Sequence, residues 1–332
     1  MQNHNDSLPA AEQLYDGPII DAHFHLWDLD GDHYPWLMPG GSFGPKGLFD
    51  SLKHDYVLAD YRKDIAGQNV VASVHIEALW DAADSPVNET RWLETLDKSD
   101  QLATRYVAGV PFETPETERI LREQAVFDRV VSVRQTIAWN PDPEKTMMPE
   151  PEISRRATWR SALPVIEELG LALDLLIYPW QADEVVELAH AFPGVTIVVN
   201  HIASPIDQSP QGLADWRKDV VLLATAPNVV MKVSSVHGYL PEPDFEHAAP
   251  LIRHVIDSFG ANRCMIASDF PVGGIRGITY AEAFDHYRRA TSHIVPAEQF
   301  ELFCGTASRV YRIPLGEIGV SRPEARIETS MA

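Results

Sequence analysis

Eight short runs of apolar, largely β-branched residues recur along the chain, with amphipathic stretches between them. The runs are PIIDAHFH (18–25), VVASVHIE (70–77), RYVAGVP (105–111), VVSVRQTI (130–137), LALDLLIY (171–178), VTIVVNHI (195–202), NVVMKVSS (228–235) and CMIASDF (264–270). Segments such as TWRSALPVIEELG, ADEVVELAHAF and YAEAFDHYRRA carry apolar residues three and four apart, the period of a helix with one buried face. Gly170 and the pair Pro193-Gly194 punctuate helix ends just before the next run. Near-continuous apolar strands alternating with helices describe a parallel sheet covered by helices. Eight such units in 332 residues predict an α/β fold of the closed (β/α)8 TIM-barrel type. A doubly wound open sheet is the weaker alternative, because no Gly-rich dinucleotide fingerprint follows the first run.

The connections are unequal. Helix-to-strand links are two or three residues long, whereas strand-to-helix links reach 26 to about 56, 138 to about 157 and 236 to about 243. In a barrel these long loops share the C-terminal face, where active sites are built. With no repeat beyond the strand-helix alternation and no linker, 1–332 is expected to be a single domain, its core about 18–312 and a polar tail from about 314.

Composition narrows the partners. The net charge is −21, from 48 acidic against 27 basic residues, with no basic run. That balance argues against nucleic acid or an anionic membrane and leaves a small-molecule substrate as the expected partner. Cys264 and Cys304 are too few for a disulfide framework. No secretory leader pattern opens the chain and no apolar run has the length of a membrane span, so a soluble, cytoplasmic location is expected. The apolar YPWLMPG (34–40) suits a pocket wall or the interface of a homo-oligomer.

The strand ends hold the chemistry. His23 and His25 lie two apart at the end of the first run and so point to one face. His75 and Glu77 end the second, Arg134 is near the end of the fourth, and Asp174 lies within the fifth. His201 ends the sixth, Lys232 and Ser234 the seventh, and Asp269 the eighth. Singly, each has an ordinary explanation: a core histidine, a turn at SDFP, Lys232 snorkelling to the rim, Glu77 paired with Arg134 or Lys232. Together at one end of one barrel they can bind a metal, pair with one another or hold a substrate, which isolated burial would not allow cheaply.

At these residues the chain resembles the amidohydrolase superfamily, in the branch of TIM-barrel hydrolases termed amidohydrolase-related family 2. The matching pieces are IIDAHFHLWD, YPWL, LLIYPWQ, VVNHIASP, VVMKVSS, MIASDFPV and CGTASRVYRI, in the family's order from residue 19 to 312. The resemblance implies metal-site or catalytic positions at His23, His25, His201 and Asp269. It also implies a relationship to lactonases of sugar lactones and of lactones from aromatic degradation, and to zinc-dependent decarboxylases. One departure concerns the metal: LALDLLIYPW supplies no middle-strand histidine, so activity with or without a divalent ion, zinc foremost, stays open. Glu77 is the candidate replacement ligand beside His23, His25 and Asp269.

The expected reaction is lactone hydrolysis. Asp269 acts as general base, His201 donates to the developing oxyanion, and the histidine cluster, with or without metal, polarises the carbonyl. Arg134 and Lys232 are expected to hold a substrate carboxylate, and Trp27, Tyr34 and Trp36 to wall the pocket. A metal-dependent decarboxylase of an aromatic or related acid is the alternative, and a catalytically silent binding barrel a third class. A serine nucleophile has no G-x-S-x-G elbow to support it.

Overall fold

All eight runs form strands: β1 (Ile19–Phe24), β2 (Val70–Ile76), β3 (Arg105–Gly109), β4 (Val130–Thr136), β5 (Ala172–Leu176), β6 (Ile197–Val199), β7 (Val229–Val233) and β8 (Cys264–Ile266). The computed structural model describes residues 14–41, 43 and 47–323. The strands are parallel and paired in chain order. The ring closes beyond β8, where the Asp269 N–H donates to the His23 carbonyl (2.7 Å) and the His25 N–H to the Phe270 carbonyl (2.8 Å). This is the expected (β/α)8 barrel. Nearly every strand residue is buried, because helices cover the sheet outside and side chains fill it inside. The helices begin as their sequences suggest: Ser209, Asp244 and Thr279 each accept a hydrogen bond from a first-turn backbone N–H, and Glu282 completes a capping box with Thr279.

β6 and β8 are shorter than their apolar runs, and the reason bears on function. His201, Ile202, Ala203 and Ser204 all have positive φ (54°, 50°, 58° and 47°), and so do Ser235 (54°) and Asp269 (62°). Left-handed backbone costs about 1–2 kcal/mol per L-residue. It is concentrated where β6, β7 and β8 open onto the C-terminal face, and it turns the last side chains into the barrel mouth. The turn after β6 is tied down by Trp216, whose indole N–H donates to the Ile202 carbonyl (2.7 Å).

The long loops fold back over this face. Trp27 and Tyr56 exchange backbone hydrogen bonds of 2.9 and 3.0 Å, and the Trp36 indole donates to the Ala78 carbonyl (2.8 Å), pinning the first loop against the exit of β2. The Tyr178 hydroxyl donates to the Lys145 carbonyl (2.5 Å), holding the second loop, and Tyr239 in the third donates to Ser204 Oγ (3.0 Å). The segment expected as a polar tail from 314 instead turns at Leu315–Ile318 and leans Leu315, Ile318 and Val320 on the core; residues 324–332 lie outside those described. Among the described residues no helix is long and apolar enough to cross a membrane.

Candidate active site

Three imidazoles meet one carboxylate at the barrel mouth. Asp269 Oδ1 lies 3.2 Å from His23 Nε2, 3.3 Å from His25 Nε2 and 3.8 Å from His201 Nε2. His23 Nε2 and His25 Nε2 are 3.2 Å apart. All four residues are buried, and Asp269 Oδ1 has no well-directed hydrogen-bond donor among the described residues. A buried carboxylate oxygen in that state is costly unless something else satisfies it. The donor atoms of His23, His25 and Asp269 form the one group among the described residues with metal-ligand spacing. Their separations match the edges, about 3.3 Å, of a tetrahedron whose centre is a zinc-like distance of about 2.0–2.1 Å from each corner. Two imidazole nitrogens and a carboxylate oxygen suit such an ion chemically.

Secondary contacts orient these groups. His25 Nδ1 donates to the Ile76 carbonyl (2.9 Å), which directs the Nε2 lone pair into the cluster. His201 Nδ1 pairs with Ser234 Oγ (2.9 Å), and His23 Nδ1 faces Lys232 Nζ (3.4 Å). Burial drives the His23 pKa far down, helped by Lys232, and drives His201 down to about 4, so both rings are neutral near neutral pH. Burial works against the Asp269 carboxylate, but His201, His23 and His25 together hold it well below the usual carboxylate range.

Below the cluster, Lys232 is fully buried and paired with Asp174 (2.7 Å), itself bonded by Ser132 (2.7 Å), Asn200 (3.0 Å) and Tyr311 (2.9 Å). Above it opens a cavity of about 370 Å³. His25, His201 and Asp269 are at its floor, Arg134 and Glu77 on one wall, and Trp27, Trp36, Phe49, Met147, Val272 and Ile275 around it.

An amidohydrolase family model, that of family 2, matches residues 20–313. This chain belongs to the amidohydrolase family. An uncharacterised protein of Sinorhizobium fredii, y4mH, is 33% identical over 300 residues, covering 90% of this chain and 100% of its own length. L-Fucono-1,5-lactonase of Burkholderia multivorans is 25% identical over 310 residues, covering 89% and 96%. Among solved structures, an amidohydrolase of Burkholderia multivorans with bound zinc aligns at a TM-score of 0.73 and 22% identity, covering 90% of this chain and 100% of that one.

Not every expected residue of this amidohydrolase stands where its place in the sequence suggested. His23, His25, His201 and Asp269 come together, and Arg134, Trp27 and Trp36 border the cavity. Lys232, expected to clamp a substrate carboxylate, is instead sealed under the floor, because its strand turns it inward to Asp174. Glu77, expected as a ligand, is outside the group with metal-ligand spacing. It accepts from Arg134 Nη1 (3.3 Å) and from the Leu79 N–H (2.9 Å). Tyr34, expected in the pocket wall, turns away: its hydroxyl donates to Glu89 (3.3 Å), and its ring packs on Trp80. His75 is a core residue between Phe24 and Tyr106.

Two features of the site escaped the sequence reading. Buried Glu89 accepts from the Ala78 N–H (2.9 Å) behind Glu77, and burial, with repulsion from Glu77, pushes its pKa up to about 8. The cavity residues Tyr178, Ser235, Tyr239, Val272 and Ile275 come from loops or strand exits. Tyr178, Ser235 and Val272 sit in the family-like LLIYPWQ, VVMKVSS and MIASDFPV, but no local pattern marked any of the five as cavity lining.

Proposed function

We propose that this hydrolase is a lactonase, opening the cyclic ester of a sugar acid or of an aromatic-derived acid. The observation that carries the reading is the convergence of three imidazole Nε2 atoms on one buried Asp269 oxygen at a cavity floor. L-Fucono-1,5-lactonases of two Burkholderia species, 25% and 27% identical to this chain, support it.

Asp269 takes a proton from the attacking water as the water oxygen bonds to the acyl carbon. His201 faces the developing oxyanion. With the Ser234 hydroxyl donating to Nδ1, the ring keeps its proton on Nε2 and donates it as a hydrogen bond. When the ring C–O bond breaks, Asp269 returns its proton to the leaving alkoxide. The hydroxy acid then ionises and releases one proton to solution. Arg134, whose buried Nε has no partner among the described residues and whose one ion pair is the 3.3 Å contact to Glu77, has donors left for a substrate carboxylate.

His23, His25 and Asp269 would hold a divalent ion, zinc by the donor set, and the similar Burkholderia multivorans structure contains bound zinc. Bound there, such an ion supplies Lewis-acid polarisation of the carbonyl and a lowered water pKa. The test is proton release by purified protein on a lactone panel, with carbon dioxide followed in parallel on aromatic acids. Acid release from lactones supports the reading. Carbon dioxide evolution without it would replace the lactonase by a decarboxylase.

A further inference from the structure

The polar groups around the cavity are mostly engaged with the protein itself. The Trp27 indole N–H donates to the His54 carbonyl (2.7 Å) and that of Trp36 to the Ala78 carbonyl (2.8 Å). The Tyr178 hydroxyl is given to the Lys145 carbonyl (2.5 Å) and that of Tyr239 to Ser204 (3.0 Å). Glu77 holds Arg134 and the Leu79 N–H. Between these groups the wall is carbon, from Phe49, Met147, Leu176, Ile206, Val272 and Ile275. Three more polar residues line the cavity: Lys145, paired with Asp142 (3.4 Å), Arg276, donating to the Gly238 carbonyl (3.4 Å), and buried Ser235, whose single hydroxyl is free for a ligand. Beside the catalytic floor, the buried cation with spare donors is the Arg134 guanidinium.

Resting on the lactonase reading, we propose that the substrate is a flat, largely apolar lactone bearing a single carboxylate, not a polyhydroxylated sugar lactone. The ester carbonyl would sit at the His25–His201–Asp269 floor, the carboxylate at Arg134, and the apolar body between the Trp27–Trp36 side and the Val272–Ile275 side. A sugar lactone would bring several hydroxyls into this space. Each one left without a partner loses its bonds to water, a penalty of roughly tenfold or more in binding. An aromatic body loses nothing comparable and gains contact with the ring walls. The cavity volume of about 370 Å³ suits a molecule of one or two rings.

The test compares phthalide-3-acetate, an aromatic lactone with one carboxylate, with neutral dihydrocoumarin and with L-fucono-1,5-lactone and D-glucono-1,5-lactone. Proton release is followed on the full-length protein. The expected result is a kcat/KM for phthalide-3-acetate roughly 100-fold or more above either sugar lactone, two unpaired hydroxyls at roughly tenfold each. Arg134→Met should raise KM for phthalide-3-acetate by about tenfold or more while changing dihydrocoumarin kinetics much less. Sugar lactones turned over as well as or better than the aromatic ones would overturn this proposal while leaving the lactonase reading standing. If no lactone is opened, the lactonase reading fails, and the cavity preference is read by calorimetry with two monoanions, 3-(2-hydroxyphenyl)propanoate, the ring-opened form of dihydrocoumarin, and gluconate. An aryl hydroxy acid binding at least tenfold more tightly than gluconate upholds the apolar, monoanionic ligand class, and equal affinities overturn it.

Discussion

Asp21 on β1 holds Ser268, the residue just before Asp269. Its Oδ1 accepts the Ser268 N–H (2.8 Å) and its Oδ2 the Ser268 hydroxyl (2.6 Å), with Tyr61 (2.8 Å) and Tyr280 (3.2 Å) donating to the same Oδ2. The barrel seam and the residue next to Asp269 are therefore held by one buried carboxylate. Burial raises the Asp21 pKa, with the Ser268, Tyr61 and His23 hydrogen bonds acting against it. Asp21→Asn places an amide donor among donors, so a stability loss of about 1–3 kcal/mol is expected. Turnover should fall at least tenfold as Asp269 loses its placement. Urea unfolding and kcat on one preparation check both, and unchanged kcat would detach Asp21 from the site.

Asp269→Asn should lower kcat by about 10²–10⁴-fold, the usual contribution of a positioned base. Because the folded state favours the ionised carboxylate, and because Asp269 belongs to the ligand group, the melting temperature should fall as well. Near wild-type turnover would move the base elsewhere.

Lys232 and Asp174 form a buried pair at 2.7 Å, both with fully buried side chains. Lys232→Met alone leaves Asp174 charged and uncompensated, and about 3–5 kcal/mol of stability should be lost. The double variant Lys232→Met, Asp174→Leu should recover part of that loss. A double variant no better than the single would show that the Ser132, Asn200 and Tyr311 hydrogen bonds, not charge pairing, dominate there.

Burial holds His75 at about 3 and His237 at about 4, both below the ordinary 6.5. The unfolded chain takes up these protons at higher pH than the folded one. Stability is therefore full above pH 6.5, declines as pH falls through that value, and stops declining on their account only below about 3. Urea midpoints measured across this window should show the decline, and His75→Leu should make it shallower by up to one proton. An equally steep decline in the variant would exonerate His75.

The purified protein is expected to carry about one divalent ion per chain. Chelation should lower its melting temperature by removing a ligand of the folded state. His25→Ala should abolish metal uptake measured by elemental analysis. A protein that neither contains nor takes up zinc, manganese or cobalt, and whose melting temperature ignores them, would refute the metal assignment.

The alternation of apolar runs and amphipathic stretches was sufficient for the barrel, because burial on both sheet faces writes itself into every strand. The two-residue spacing of His23 and His25 likewise placed them together, since strand geometry has a period of two. Asp269 and His201 were legible as strand-end residues of one barrel mouth, grouped with His23 and His25 by the family resemblance, but not as side chains in contact. Their meeting depends on left-handed backbone after β6 and β8, which no local propensity announces. Lys232 shows the limit most plainly. A strand residue near the rim looks the same in sequence whether it faces the mouth or the packed interior, and only its pairing with Asp174 inside the closed barrel settled which. Tyr34 and Glu77 were decided by partners 55 and 57 residues away, Glu89 and Arg134. Secondary structure follows from local periodicity, whereas the pocket follows from long-range pairing of buried polar groups, and there tertiary structure alone decided.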